Sequence, residues 1–159
     1  MNSPNLQPQD SLSPSESEVR ALYRQLLDSW NSRNADNFAA LFTEDGYSIG
    51  FDGSQLIGQG EIASTLQQIF ADHPTAPYVS KVREARLLNP DVAIPRAVVG
   101  MVPPNQTNIA PALNAIQTLV AQKRDGTWRI VHFQNTPAQF HGRPELVQQM
   151  TEELQQLLE

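Results

Sequence analysis

The sequence predicts an α+β fold: a curved, cone-like antiparallel sheet with helices on its concave face. Three observations predict it. Residues Asn114 to Pro137 hold two runs rich in β-branched and aromatic residues on either side of Asp125-Gly126. Asp-Gly between such runs is a strong hairpin signal, because both turn residues must reach φ > 0 and Gly does so without strain. Tyr78 to Leu88 and Val92 to Val102 flank the turn Asn89-Pro90-Asp91 in the same manner. Helical periodicity comes mostly before these long strands rather than alternating with them, which is the mark of α+β.

Composition bounds the rest. A chain of 159 residues fits one domain and buries enough surface to fold without disulfides or metal. It has no Cys, which excludes disulfides, thiolate catalysis and Cys-based zinc sites. A formal net charge of -6 disfavours nucleic acid and anionic membranes as partners. No apolar run approaches the ~20 residues of a membrane span. The N-terminus lacks the basic and apolar regions of a signal peptide, so the expected compartment is the cytoplasm.

Residues 1–14 are polar and rich in Pro, Ser and Gln, the composition of a disordered tail. Residues 15–140 form the expected cone domain. Ser15-Glu16-Ser17-Glu18 fits a capping box, and behind it Val19, Leu22, Tyr23, Leu26, Leu27 and Trp30 fall on one stripe of a helix ending near Arg33. Trp30 is large and carries an N–H that needs a partner, which suits the rim of a cavity. A short helix is expected from Asn37 to Phe42, a turn at Thr43 to Gly46, and a strand from Tyr47 to Phe51. Asp52-Gly53 then leads to a short strand at Gln55 to Ile57. Turn chemistry accounts for Asp45 and Asp52 better than acid–base work does.

Gly58-Gln59-Gly60-Glu61-Ile62-Ala63 matches a dinucleotide fingerprint. The preceding strands read as a hairpin rather than a parallel βαβ unit, so the segment is read as a loop opening a helix, and no cofactor is expected. Ile62, Leu66, Ile69 and Phe70 give that helix its apolar stripe, and His73-Pro74 ends it. Pro95 cannot donate to a ladder and predicts an edge strand or a bulge. Arg96, in an otherwise apolar run, is read as ion-paired or at a rim. Residues 141–159 end the chain in an amphipathic helix, with Pro144 in its first turn and Leu146, Met150, Leu154 and Leu157 at helical spacing.

A two-residue turn fixes the hairpin register. It pairs Arg124 with Thr127, Ala121 with Ile130, Leu119 with His132, and Gln117 with Gln134. Alternation then puts Ala115, Gln117, Leu119 and Ala121 with Trp128, Ile130, His132 and Gln134 on one face. Ile116, Thr118, Val120, Val131, Phe133 and Asn135 fall on the other. Both faces are apolar, so one is expected to meet the core and the other a second subunit. On the inner face His132 lies beside Gln117 and Gln134, where a buried imidazole could move a proton and two amides orient a ligand. Trp30, Tyr47, Met101, Gln117, His132 and Gln134 are the candidate pocket residues. His73 and His141 have no spacing that makes a metal site with His132, and no metal is expected.

Leu88-Asn89-Pro90-Asp91-Val92-Ala93, Gly100-Met101, and Trp128-Arg129-Ile130 followed by Phe133-Gln134-Asn135-Thr136 resemble the SgcJ/EcaC family. That family lies within the SnoaL-like, nuclear-transport-factor-2-like superfamily with the cystatin-like fold. The likeness covers roughly residues 16 to 140. It implies a cone with an internal pocket, usually homodimeric through the convex sheet face. The same stretch is similar to the association domain of calcium/calmodulin-dependent protein kinase II, whose pocket arginine falls where this chain has Leu119. Ketosteroid isomerases share the superfamily, but Leu26 and Gly50 stand where they carry a catalytic tyrosine and base, so their chemistry does not transfer. The expectation is a homodimeric pocket protein that binds or transforms a small, mostly apolar ligand without a nucleotide cofactor. The alternative is a dimerisation or assembly module with a vestigial pocket.

Overall fold

The computed structural model describes residues 13–159; most of the tail expected at residues 1–14 lies outside the described residues. The first helix, α1 (Pro14–Asn31), starts earlier than the capping box predicts. Ser13 is the cap, its hydroxyl accepting from the Glu16 N–H at 3.1 Å, with Pro14 pre-set for the first turn. Glu18, freed from the box, accepts instead from the Trp128 indole at 3.0 Å. The predicted stripe faces the core, with Val19, Leu22, Tyr23, Leu26 and Leu27 buried.

Asn34 caps α2 (Ala35–Ala40). The turn expected at Thr43 to Gly46 lies instead within β1 (Phe42–Ile49). A Cβ on Gly46 would stand 2.8 Å from the Ile130 carbonyl, so this is a close backbone approach inside the sheet, not a chain reversal. The next elements are β2 (Gln55–Ile57), α3 (Gln59–Asp72), β3 (Tyr78–Asn89) and β4 (Val92–Met101). After a short 3-10 turn come β5 (Ala115–Arg124), β6 (Thr127–Pro137) and α4 (Pro144–Gln156). β2 runs antiparallel to β1, so Gly58 to Ala63 does not follow the first strand of a parallel βαβ unit.

The six strands form one sheet in the order β2-β1-β6-β5-β4-β3. β1 and β6 are parallel, and the other four pairings are antiparallel. The fold is α+β, as the element order implies. Pro95 sits neither on an edge nor at a bulge of its own strand. It is fully buried in β4, between β3 and β5, and the β4–β5 ladder lapses at Ile94 and Pro95, where no N–H is available. Register shifts flank this point on β3 between Val82 and Glu84, on β6 beside Val131, and on β1 between Phe42 and Tyr47. Bulges increase local twist and bend a strand, so this band across the sheet is where it curves.

The bulge on β6 corrects the hairpin register. From the turn the pairing runs as predicted, Arg124 with Thr127 and Ala121 with Ile130. Val120 then pairs with His132, leaving Val131 as an extra residue. Beyond it Leu119 pairs with Phe133 and Gln117 with Asn135. One inserted residue exchanges the two faces of a strand. Phe133 and Asn135 are therefore buried, Gln134 is exposed, and His132 lies half-buried on the outer face.

α1, α2 and α3 cover the inner face, where the main core gathers around Leu26, Phe42, Ile62, Leu119 and Ile130. α4 docks on the outer face of β3 and β4. Met150 and Leu154 pack with Val98 and Ile109, and Glu153 forms ion pairs with Arg83 at 2.6 Å and Lys81 at 3.1 Å. Gly100 makes room for α4, since a Cβ there would meet Leu154 Cδ1 at 2.9 Å. No helix among the described residues is long and apolar enough to cross a membrane.

Candidate functional site: a cavity under the helices

A cavity of about 430 Å³ opens between the three inner helices and the sheet. Leu27 and Trp30 come from α1, Phe38 from α2, and Thr65, Leu66 and Ile69 from α3. Phe133 and Asn135 form the floor, and the Phe51–Ser54 turn forms part of the mouth. Apolar and aromatic walls with a few polar groups are the usual character of a small-molecule site. Trp30 meets the expectation for its N–H, donating to the Ala76 carbonyl at 3.0 Å. Its ring stands edge-on to Phe70 and tilted against Tyr78, with centroids 5.2 and 5.4 Å away.

Behind the cavity runs a buried chain of polar side chains. The Tyr23 hydroxyl donates to Gln117 Oε1 at 2.7 Å. Gln117 Nε2 faces Asn135 Oδ1 at 3.4 Å, and Asn135 Nδ2 donates to the Tyr78 hydroxyl oxygen at 3.2 Å. Asn135 and Tyr78 both line the cavity. A buried glutamine such as Gln117, with no exposed surface, would destabilise the fold if left unpaired. Burial, the dominant effect, pushes the Tyr78 phenol up to about 12 and the Tyr23 phenol higher still. Both phenols are therefore protonated at neutral pH.

Asp52 is the one charged residue lining the cavity. Its carboxylate accepts from the Ser54 N–H and hydroxyl, each at 2.9 Å, as the turn reading expects. Those bonds hold its carboxyl below the ordinary range. Asp45 lies exposed on β1, apart from the cavity.

The structure separates the predicted pocket residues. Trp30 lines the cavity, and Gln117 lies one hydrogen bond behind it. Met101 pairs with Tyr78 across β3 and β4 but does not line the cavity. Tyr47, His132 and Gln134 are corrected to the outer face: the Val131 bulge turns His132 and Gln134 outward, and Tyr47, paired with His132 from β1, shares that face. There the Tyr47 and His132 rings meet edge-on at 4.8 Å, and His132 Nε2 lies 3.1 Å from Gln134 Oε1. Sequence reading missed Tyr78, taken only as a strand start, and Asn135, assigned to the wrong face. A usable signal was present: Gln117 and Asn135 are amides in otherwise apolar strands, and each needs a buried partner. Arg96 is ion-paired with Glu84, its Nε 3.0 Å from Oε1.

A hollow of similar size, about 440 Å³, lies on the opposite side, between the start of α4 and Phe140 to Gly142. It is a surface groove, outside the polar chain.

Among solved structures, the chain is similar to a cystatin-fold domain of unknown function from Nostoc punctiforme. The two share 28% identity over 87% of this chain and 86% of that one, with a TM-score of 0.76. A Thiobacillus denitrificans protein assigned as a calcium/calmodulin-dependent protein kinase type II association domain shares 17% identity, over 76% of this chain and 94% of that one, at a TM-score of 0.67. A ketosteroid isomerase-like protein from Erwinia carotovora atroseptica shares 16%, over 80% and 98%, at 0.64. These last two likenesses are of fold. Among curated proteins nothing matches. The SnoaL-like domain family matches residues 19–138, from within α1 to just past the end of β6, and the chain belongs to that family.

Proposed function

We propose that this chain binds a small, mostly apolar molecule in the cavity beneath α1, α2 and α3, and does so as a homodimer. The carrying observation is a cavity of about 430 Å³ with aromatic and aliphatic walls that is met by Tyr78 and Asn135, the end of a buried polar chain. Two protonated phenols and two amides suit hydrogen-bonded recognition better than proton transfer. The dimer reading draws on the part of the outer face that α4 leaves open. Val120 and His132 are half-buried there, and Tyr47 is 39% exposed. Phe133, expected on that face, belongs to the core and leaves the dimer reading.

The test uses the neutral fluorescent probe N-phenyl-1-naphthylamine, with light scattering on the same samples. The expected result is saturable binding of one probe per chain at the mass of a dimer, with Ile69→Trp filling the cavity and abolishing binding. Binding unaffected by Ile69→Trp contradicts the cavity reading. A dimer that takes up no probe favours an assembly module, and a monomer removes the dimer half of the proposal.

A further inference from the structure

The polar chain behind the cavity has a direction. The Tyr23 hydroxyl faces the Gln117 carbonyl oxygen, which turns the Gln117 nitrogen toward Asn135. The Asn135 oxygen is then committed to Gln117, and its nitrogen donates to Tyr78. Tyr78 is the terminal acceptor. Its own proton has no acceptor among the described residues, although the side chain lines the cavity. A hydroxyl that accepts a hydrogen bond is polarised and becomes a better donor. Burial keeps the proton in place, with the phenol pushed up to about 12.

Charge narrows the ligand further. The lining residues include no Lys, Arg or His, and Asp52 is acidic. A carboxylate in this cavity would lose its hydration without gaining a counter-charge. Arg20 and Arg24 line a separate cleft between α1 and β3, which shares Leu27 and Tyr78 as its wall.

We infer that the ligand carries a neutral oxygen acceptor of the carbonyl class, a ketone, ester or amide, which the Tyr78 hydroxyl meets as donor while an apolar body fills the remaining space. This rests on the cavity being a binding site. Tyr78 is the specificity-determining contact, and Gln117 and Tyr23 are positioning residues behind it.

The experiment is displacement of N-phenyl-1-naphthylamine by 2-decalone, by decalin and by decalin-2-carboxylate. It compares the parent chain with Tyr78→Phe and Gln117→Met, each first checked for a cooperative melt. Tyr78→Phe should weaken 2-decalone about 3- to 10-fold, the value of one neutral hydrogen bond, and leave decalin unchanged. Gln117→Met, which breaks the chain two bonds upstream and touches no ligand, should weaken 2-decalone less and spare decalin. The carboxylate should bind weakest. Three results each overturn the inference while leaving the cavity as a site: 2-decalone indifferent to Tyr78→Phe, decalin weakened equally, or the carboxylate binding more tightly than the ketone. If the fluorescent probe itself does not bind, the cavity reading fails and this inference with it.

Discussion

On the concave face of β6, Phe133 and Asn135 are buried against the helices, one packing edge-on to Phe38 and the other holding the polar chain together. On the convex face their neighbours His132 and Gln134 bond to each other, and the His132 ring meets Tyr47 edge-on. These residues alternate along one strand, and Val131 decides which pair goes inside. The concave face is apolar, threaded by the polar chain and hollow at one end. The convex face is divided between a docked helix and an open aromatic strip. A bulge of one residue separates what lines the cavity from what lies on the surface, so the position of an extra residue decides more here than the identity of the histidine beside it.

Phe133→Ala should break the contrast most severely. It removes a buried ring that packs on Phe38 and should cost about 3–5 kcal/mol in urea denaturation, while His132→Ala on the convex side of the same strand should cost no more than about 1 kcal/mol. Deleting Val131 should keep the two faces as they are, because His132 then follows Ile130 directly and still pairs with Val120. Equal losses for Phe133→Ala and His132→Ala would show that the two faces are not distinguished in this way.

On the convex side, the expected effect is smaller. Arg83 and Lys81 hold the Glu153 carboxyl at about 2, down from 4.5, chiefly through the hydrogen bonds from Arg83. A depressed folded-state value stabilises α4 docking above pH 4.5 and loses that contribution as pH falls toward 2. The groups are largely solvated, so Glu153→Gln should cost no more than about 1 kcal/mol at pH 7. The difference from the parent should shrink in high salt and vanish near pH 2. An effect that persists at low pH would mean that the glutamate acts through packing instead.

Much of this was legible in the sequence. The Asp125-Gly126 turn, the helical stripes and the long strands carry local signals that tertiary structure did not override. Trp30 was legible as a cavity residue because an indole of that size with an unspent N–H has few places to go. The register beyond Ala121 was not legible. Val131, Phe133 and Ile130 suit either face of a strand apolar on both sides, so no pattern penalised the wrong alternation. Pro95 misled for a related reason. Its missing donor is tolerated in an interior strand, where the β4–β5 ladder lapses at Ile94 and Pro95 and resumes in the same register. Asn135 and Tyr78 became a site only through a contact that spans 57 residues of sequence, which single-sequence periodicity does not reach.

The two faces can be compared in one titration. Side-chain NMR of the labelled protein with 2-decalone reads the Trp30 indole N–H, the Asn135 side-chain amide and the His132 imidazole together. The cavity account predicts saturable shifts at Trp30 and Asn135, with His132 unmoved. Saturable shifts at His132 with Trp30 and Asn135 unchanged would place the site on the convex face and contradict it.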